Sequence, residues 1–377
     1  MKTAPLTPSE SFALDVIRLV AAAVVAFGHL TQNFFSTGWT DLTFAARCSV
    51  AVFFLLSGFV IRYVTCRKPA TLKHYLSDRA SRIYSIALPA LLFTLFADSI
   101  SRHVNPTFYS PWEGTWTHPL LAIGKNLIFC GQLWTHNTDP LSNSPYWSIN
   151  YEVAYYLLYG CWFYLTGLKK WFWIAGVCLF FGPRVLYLAP LWILGCAAHD
   201  LYRQWTSHGA KSSRLVWISL GSLSLLTASL TALCLETDTL LPHQGNYALL
   251  RIAFSSNVRP TDYLFGAIWS IFFVGLLFAA RQITMDARSV LARAAHFLSE
   301  GTFPIYLLHF PLYVLMAACI PYNHASPTQK IAIYLGVLTI GILAGHPGNL
   351  LKNKLRTLTL SWNAHLFAPY QRSIDGN

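Results

Sequence analysis

Arg18 and His29 sit in SFALDVIRLVAAAVVAFGHL (residues 11–30), a stretch apolar enough for a lipid bilayer. A charged side chain there costs about 2.5–3.5 kcal/mol on insertion scales. Eleven residues separate the two, roughly three helical turns, so they share one face and lie about 16 Å apart along the axis. An arginine toward one surface and a histidine toward the other mark a stripe that works across a membrane. Asp15, one turn before Arg18, is the expected partner that lowers the cost of burying the guanidinium.

Further along, VAVFFLLSGFVI (Val50–Ile61) holds Ser57-Gly58 in the middle of an apolar helix. A small pair at that place permits close helix approach, or it lets a substrate chain pass the backbone with the Ser57 hydroxyl as a handle. Arg79 and Arg82, spaced i and i+3 in a basic loop, suit lipid headgroups or a clamp on a phosphate-rich ligand. Pro145, Trp147 and Ser148 lead into a helix whose second turn carries Glu152, an acidic residue that is costly unless paired or working. If that helix starts at the outer surface, Glu152 lies about 9 Å below it, level with His29 at about 26 Å from the opposite surface. The two could then meet as a general base and the carboxylate that orients it. Tyr306 and His309 fall in GTFPIYLLHFPLYVLM between Pro304 and Pro311. His309 reads as a hydrogen-bonded core histidine, or as part of a site where the prolines open the backbone toward a cavity.

The elements that must position these groups are transmembrane helices. Hydrophobic residues make up 54% of the 377-residue chain and charged residues 11%, with a mean hydropathy of +0.43, which points away from a soluble domain. Ten apolar segments of near-bilayer length can be drawn, at about 12–32, 47–65, 83–101, 146–166, 171–186, 187–203, 214–235, 261–280, 298–320 and 330–349. With the N-terminus cytoplasmic, most of the 27 Lys and Arg fall in inner loops, the positive-inside asymmetry. Only Gly182-Pro183-Arg184 divides the fifth segment from the sixth. Joining them would invert every later loop, so two helices are expected, and an even count leaves both termini in the cytoplasm. The expectation is an all-α, polytopic protein with one domain, a helical core over about 11–350 and a cytoplasmic tail over 351–377. The opening segment holds Asp15 and Arg18, has only Lys2 as a basic flank and lacks a small-residue cleavage site, so it is not expected to be a cleaved signal peptide. The formal charge of +12 is spread over short loops, without the basic run and interleaved aromatics of a nucleic-acid face. Eight cysteines show no CxxC spacing, so no metal is expected.

Taken together, these segments resemble the membrane-bound acyltransferase 3 family. Arg18 and His29 reproduce the spaced arginine and histidine of its first helix. FFLLSGFVI (Phe53–Ile61) is similar to its second-helix motif, and RASRIYSIALPALL (Arg79–Leu92) to its basic RxxR run. SPYWSINYEVAYYLL (Ser144–Leu158) resembles its P-x-WSLS-x-E stretch, with Glu152 at the acidic position, and FPIYLLHFPLY (Phe303–Tyr313) its late YLLHFP helix. The resemblance spans residues 11–350. The chain departs from the pattern at Val153, where a second glutamate is usual, at Ser85 in place of a proline, and at His346-Pro347 in place of Glu-Pro.

The resemblance implies a membrane enzyme of the cell inner (plasma) membrane. It would move an acyl group, most often acetyl from acetyl-CoA, to a hydroxyl of an extracytoplasmic carbohydrate or glycolipid. His29, Glu152 and Arg18 would then serve catalysis, and Arg79, Arg82, Ser57 and Gly58 would hold the donor. Trp147, Ser148, Tyr306 and His309 would touch the acceptor. Direct transfer and an acyl-enzyme on His29 or Ser57 both fit. On physics alone, a secondary transporter of a small anion or lipid-linked sugar also suits buried charges and Pro-interrupted helices. It favours an inverted repeat, which the sequence lacks. A non-catalytic scaffold leaves Arg18, His29 and Glu152 unexplained.

Overall fold

The computed structural model describes residues 5–67, 70–207, 216–218, 220–225, 227, 260–321 and 323–371. Thirteen α-helices and two 3₁₀ helices (Ser110–Thr117 and Ser144–Tyr146), and no strand, occur among the described residues outside 216–227. They are α1 (Pro8–Leu30), α2 (Thr43–Arg67), α3 (Leu72–Val104), α4 (Pro106–Tyr109), α5 (Pro119–Leu127), α6 (Trp147–Tyr164) and α7 (Gly167–Phe181). After these come α8 (Pro183–Leu186), α9 (Ala189–Ser207), α10 (Pro260–Arg281), α11 (Val290–Glu300), α12 (Thr302–Cys319) and α13 (Pro327–Gln371).

Start signals are local. At α1, Thr7 accepts from the Glu10 amide at 3.3 Å while the Glu10 carboxylate takes the Thr7 amide at 2.6 Å, a capping box with Pro8 in the first turn. Thr71 and Ser289 cap α3 and α11 in the simpler way, each side chain accepting an amide three residues on.

Among the described residues, seven helical stretches are long and apolar enough to cross a membrane: α1, α2, α3, α8–α9 together, Asp262–Arg281 of α10, α12, and α13 as far as Ser361. They match seven of the ten segments expected. Segment 146–166 becomes α6, whose 18 residues include Ser148, Asn150 and Glu152. Segment 171–186 becomes the 15-residue α7, too short for about 30 Å of hydrocarbon at 1.5 Å per residue. Most of 214–235 lies outside the described residues. The expected division at Gly182 is present. Its φ of 79° lies in the left-handed region, and a Cβ there would fall 2.8 Å from the Trp134 ring, so glycine makes the turn from α7 into α8.

Both ends of the described chain meet one end of the bundle. The Leu6 amide donates to the Tyr63 hydroxyl near the close of α2, and Arg356 and Thr359 of α13 reach Asp78 and Ser77 at the start of α3. The expected tail from residue 351 is thus in part helical. LKNKLRTLTL carries neither Gly nor Pro to stop α13, which runs on to Gln371.

The long connection between α5 and α6 turns into the bundle. Three of its residues, Phe129, Trp134 and Leu141, adopt positive φ (58°, 54° and 57°), which side chains bear only when their surroundings enforce it. A buried polar network does so. Asp98 of α3 accepts from the Ser142 amide (2.8 Å), the Ser142 hydroxyl (2.7 Å) and the Tyr109 hydroxyl (3.0 Å). Asn126 and Asn150 bond each other at 3.1 Å and fasten Thr138 and Gly131. Asn143 donates to Thr94 (3.1 Å) and to the Leu307 carbonyl (2.9 Å). That carbonyl has lost its helical donor because residue 311 is proline, so the connection supplies what α12 lacks.

Candidate active site

A cavity of about 100 Å³ opens among α1, α2, α3, α6 and α12. Arg18, Ser57, Arg79, Arg82, Ser148, Glu152 and Tyr306, all singled out in the sequence, line it together with Tyr156 and apolar side chains such as Phe53, Phe54 and Leu56. Within it, the Ser57 hydroxyl donates to Glu152 Oε1 at 2.9 Å, and the Tyr156 hydroxyl donates to the same oxygen. The Trp192 indole N–H donates to Ser57 at 3.2 Å. Ser148 and Tyr306 share a hydrogen bond of 2.7 Å, and the Tyr306 hydroxyl lies 3.0 Å from the Pro145 carbonyl.

Three guanidinium groups therefore face one carboxylate in a partly apolar enclosure. Arg18, 25% exposed, lies 3.8 Å from Asp15, as expected, though Asp15 also faces His296 at 3.3 Å. Arg79 packs over the Tyr156 ring at 5.8 Å, and its Nε is buried without a hydrogen-bond partner. Arg82 is exposed. None of the three lies within ion-pair distance of Glu152 among the described residues. The positive excess favours an anion.

His29 stands elsewhere, and the expected pairing with Glu152 is not formed. His29 is the penultimate residue of α1, beside the opening turn of α2, where Gly28 packs on Ala46. Glu152 bonds Ser57, fourteen residues into α2, about 21 Å along its axis. The depth of about 9 Å assumed that α6 begins at the surface. Instead the α5–α6 connection descends before α6 starts, carrying Glu152 with it. The partner of His29 is His309: their rings lie 5.2 Å apart, tilted by 31°, with Phe310 edge-on to His29 at 5.5 Å. His309 is fully buried and its Nδ1 is 2.8 Å from the Tyr306 carbonyl.

Gly58 does not face the cavity. A Cβ there would fall 2.0 Å from the Trp192 carbonyl oxygen, and one at Gly195 would fall 2.0 Å from that of Leu55. The room a substrate chain would need is filled by α9, so close helix approach holds for the glycine, while the Ser57 hydroxyl lines the cavity. Trp147 packs on Tyr151 (4.9 Å) and Phe54 (6.2 Å), beside the cavity rather than in it.

Sequence reasoning missed Tyr156, Trp192 and Lys352. Tyr156 is one helical turn after Glu152, a spacing that could have flagged it. Trp192 left no signal. Lys352 of α13 feels the charges of Arg79, Arg82 and Arg356, which extends the basic surface beyond the cavity. The fold also gathers Cys66, His199 and Asp200, whose ligating atoms lie within 4.8 Å of one another. Both Asp200 oxygens, however, accept from the Arg62 fork at 3.0 Å, and a cation would have to displace that guanidinium.

Apolar spans around a basic, carboxylate-bearing cavity, with paired imidazoles beyond it, are the features of a multi-pass membrane enzyme. The chain belongs to the acyltransferase 3 family, whose acyltransferase domain matches residues 11–346, and the protein is an acyltransferase. It is similar to the Acyltransferase MdmB of Streptomyces mycarofaciens, at 26% identity over 365 residues, 88% of either chain. No solved structure matches it significantly.

Proposed function

We propose that this acyltransferase moves an acetyl group from cytoplasmic acetyl-CoA to a hydroxyl of an extracytoplasmic carbohydrate or glycolipid, across the inner (plasma) membrane. The observation that carries the reading is the cavity in which Arg18, Arg79, Arg82, Ser57 and Glu152 converge from four helices. Phosphates of the donor match the guanidinium forks of Arg79 and Arg82, with Lys352 and Arg356 beside them. The unpartnered Arg79 Nε is a donor awaiting an acceptor. Arg18 lies about 16 Å from His29 by helical rise, so it serves the donor's arm and not the reacting carbonyl. The arm extends past Ser57 and Tyr306, and its thioester reaches the level of His29. His29 takes the proton of the acceptor hydroxyl. The oxygen bonds to the carbonyl carbon, the C–S bond breaks, and the thiolate leaves with the electron pair and is protonated. Glu152 holds Ser57 and Tyr156 in line and balances part of the arginine charge.

Isolated membranes supplied with labelled acetyl-CoA test this. Wild type is expected to pass label to membrane or surface glycan. His29→Ala and Glu152→Gln are expected to fall at least 100-fold, about 2.7 kcal/mol, with the amount of inserted protein unchanged. Full transfer by His29→Ala removes its role as base, and no transfer by wild type from acetyl or succinyl donors removes the reading itself.

A further inference from the structure

No residue of α11 lines the cavity, yet one of its side chains reaches, through a single carboxylate, an arginine that does. At 11 residues the helix is too short to cross a bilayer. Ala295 and Ser299 are buried, while Arg293 and His296 stand on an exposed polar side. Its far end is pinned to α13. A Cβ on Gly345 would fall 2.8 Å from the Glu300 carbonyl carbon, and one on Gly301 would fall 2.4 Å from the Ile342 Cα. Backbone rests on backbone there, so His296, one turn earlier, projects from a helix that cannot slide.

Asp15 lies between His296 and Arg18. Its Oδ2 is 3.3 Å from His296 Nδ1, and its Oδ1 is 3.8 Å from the Arg18 guanidinium. A carboxylate only accepts, so Nδ1 donates. On the other side of the ring, Nε2 faces Glu300 at 3.9 Å. The hydrogen bond of Asp15 therefore goes to a side chain that is 68% exposed and belongs to another helix. It does not go to the guanidinium three residues along α1, which could take both oxygens at about 2.7–2.9 Å. Among the described residues Arg18 makes no hydrogen bond at all, although it is only 25% exposed.

We propose that His296 is a positioning residue for donor binding: it holds the Asp15 carboxylate off Arg18 and so keeps that guanidinium open to the carbonyls of the donor's arm. Without the imidazole, Asp15 keeps one partner among the described residues, Arg18, and attraction between opposite charges in a partly buried setting closes the gap. The role in catalysis rests on the acyl-transfer reading above, while the division of Asp15 between two partners can be tested without it.

Labelling tests the geometry. The full chain in nanodiscs is treated with butanedione, which reacts with open guanidinium groups, and Arg18 is followed by mass spectrometry. Arg18 is expected to react about threefold more slowly in His296→Ala, the weight of one partly exposed ion pair. In His296→Asn, whose amide donates from the position of Nδ1, the wild-type rate is expected. Adding His296→Ala to Asp15→Asn is expected to change nothing further. Equal rates in wild type and His296→Ala overturn the proposal, as does an Arg18 that fails to react in wild type.

Transfer kinetics with labelled acetyl-CoA test the role. His296→Ala is expected to raise donor KM about threefold with kcat and acceptor KM unchanged, and His296→Asn to restore it. A merely structural contact would lower kcat, or would give His296→Ala the same effect with and without Asp15, and either result refutes the proposal. If wild type transfers no label from acetyl or succinyl donors, the acyl-transfer reading falls alone. The labelling rates then still decide whether His296 holds Asp15 away from Arg18.

Discussion

Arg18 and His29 stand on one stripe of α1, yet their surroundings have little in common. Around Arg18 are two further arginines, a carboxylate and hydroxyls already bonded to it. Around His29 are a second imidazole, aromatic rings and polar atoms with nothing to bond. The first region is electrically biased and its unpartnered buried atom is a donor, Arg79 Nε, while the second is uncharged and rich in unpartnered acceptors. A charged ligand is drawn to one and has no reason to enter the other. On the function proposed above, that difference separates two substrates without a wall between them.

The severest way to break the comparison is to shift the wall of the charged region itself. Gly58→Ala presses a methyl group against the α9 backbone, and overpacking costs about 1–3 kcal/mol. The variant is expected to accumulate poorly and to unfold at lower temperature in detergent. Normal thermal stability would mean that α2 and α9 are not in the contact described. A smaller effect sharpens the contrast. Arg82→Gln is expected to raise donor KM about tenfold, or about 1.4 kcal/mol, while leaving acceptor KM alone. Added salt should weaken donor binding in wild type and do so less in the variant. A matching change in acceptor KM would merge the two regions into one.

The smallest expected effect lies outside both regions, in the connection that carries Glu152 to its depth. Burial pushes the Asp139 carboxyl up to about 6, against the pull of the Arg184 guanidinium. Its folded value is therefore above the unfolded one, near 4. The folded state holds the proton more tightly, so stability falls as pH rises from about 4 to about 6 and then levels off. Asp139→Asn is expected to flatten that slope and to raise the unfolding midpoint at pH 7 by no more than about 2–4 °C. A slope unchanged in the variant would place its origin at another group.

Most of the charged region was legible in the sequence, because Arg18, Arg79, Arg82 and Glu152 are too costly in apolar helices to be incidental. That they share a cavity required only that their helices be neighbours. The depth of Glu152 was not legible. It depends on Asp98, Asn126, Asn143 and Asn150 drawing the connection into the bundle, and bonds between residues so far apart leave no spacing to read. For the same reason His29 was matched to the wrong partner. The spans were legible where the apolar run is long, as in α2 and α3. At α6 and α7 the expected helices are present, but polar residues in one and the short length of the other leave them outside that class.

Gly58 and Gly195 let α2 and α9 touch backbone to backbone, with no side chain between them to yield or rotate. Such a junction behaves as a single stiff post. Any widening of the arginine cavity must then come from the opposite side, where Pro311 interrupts the hydrogen-bond ladder of α12 and the Asn143 amide supplies the missing donor. Where two helices are joined backbone to backbone then matters for that motion as much as where one ladder lacks a donor.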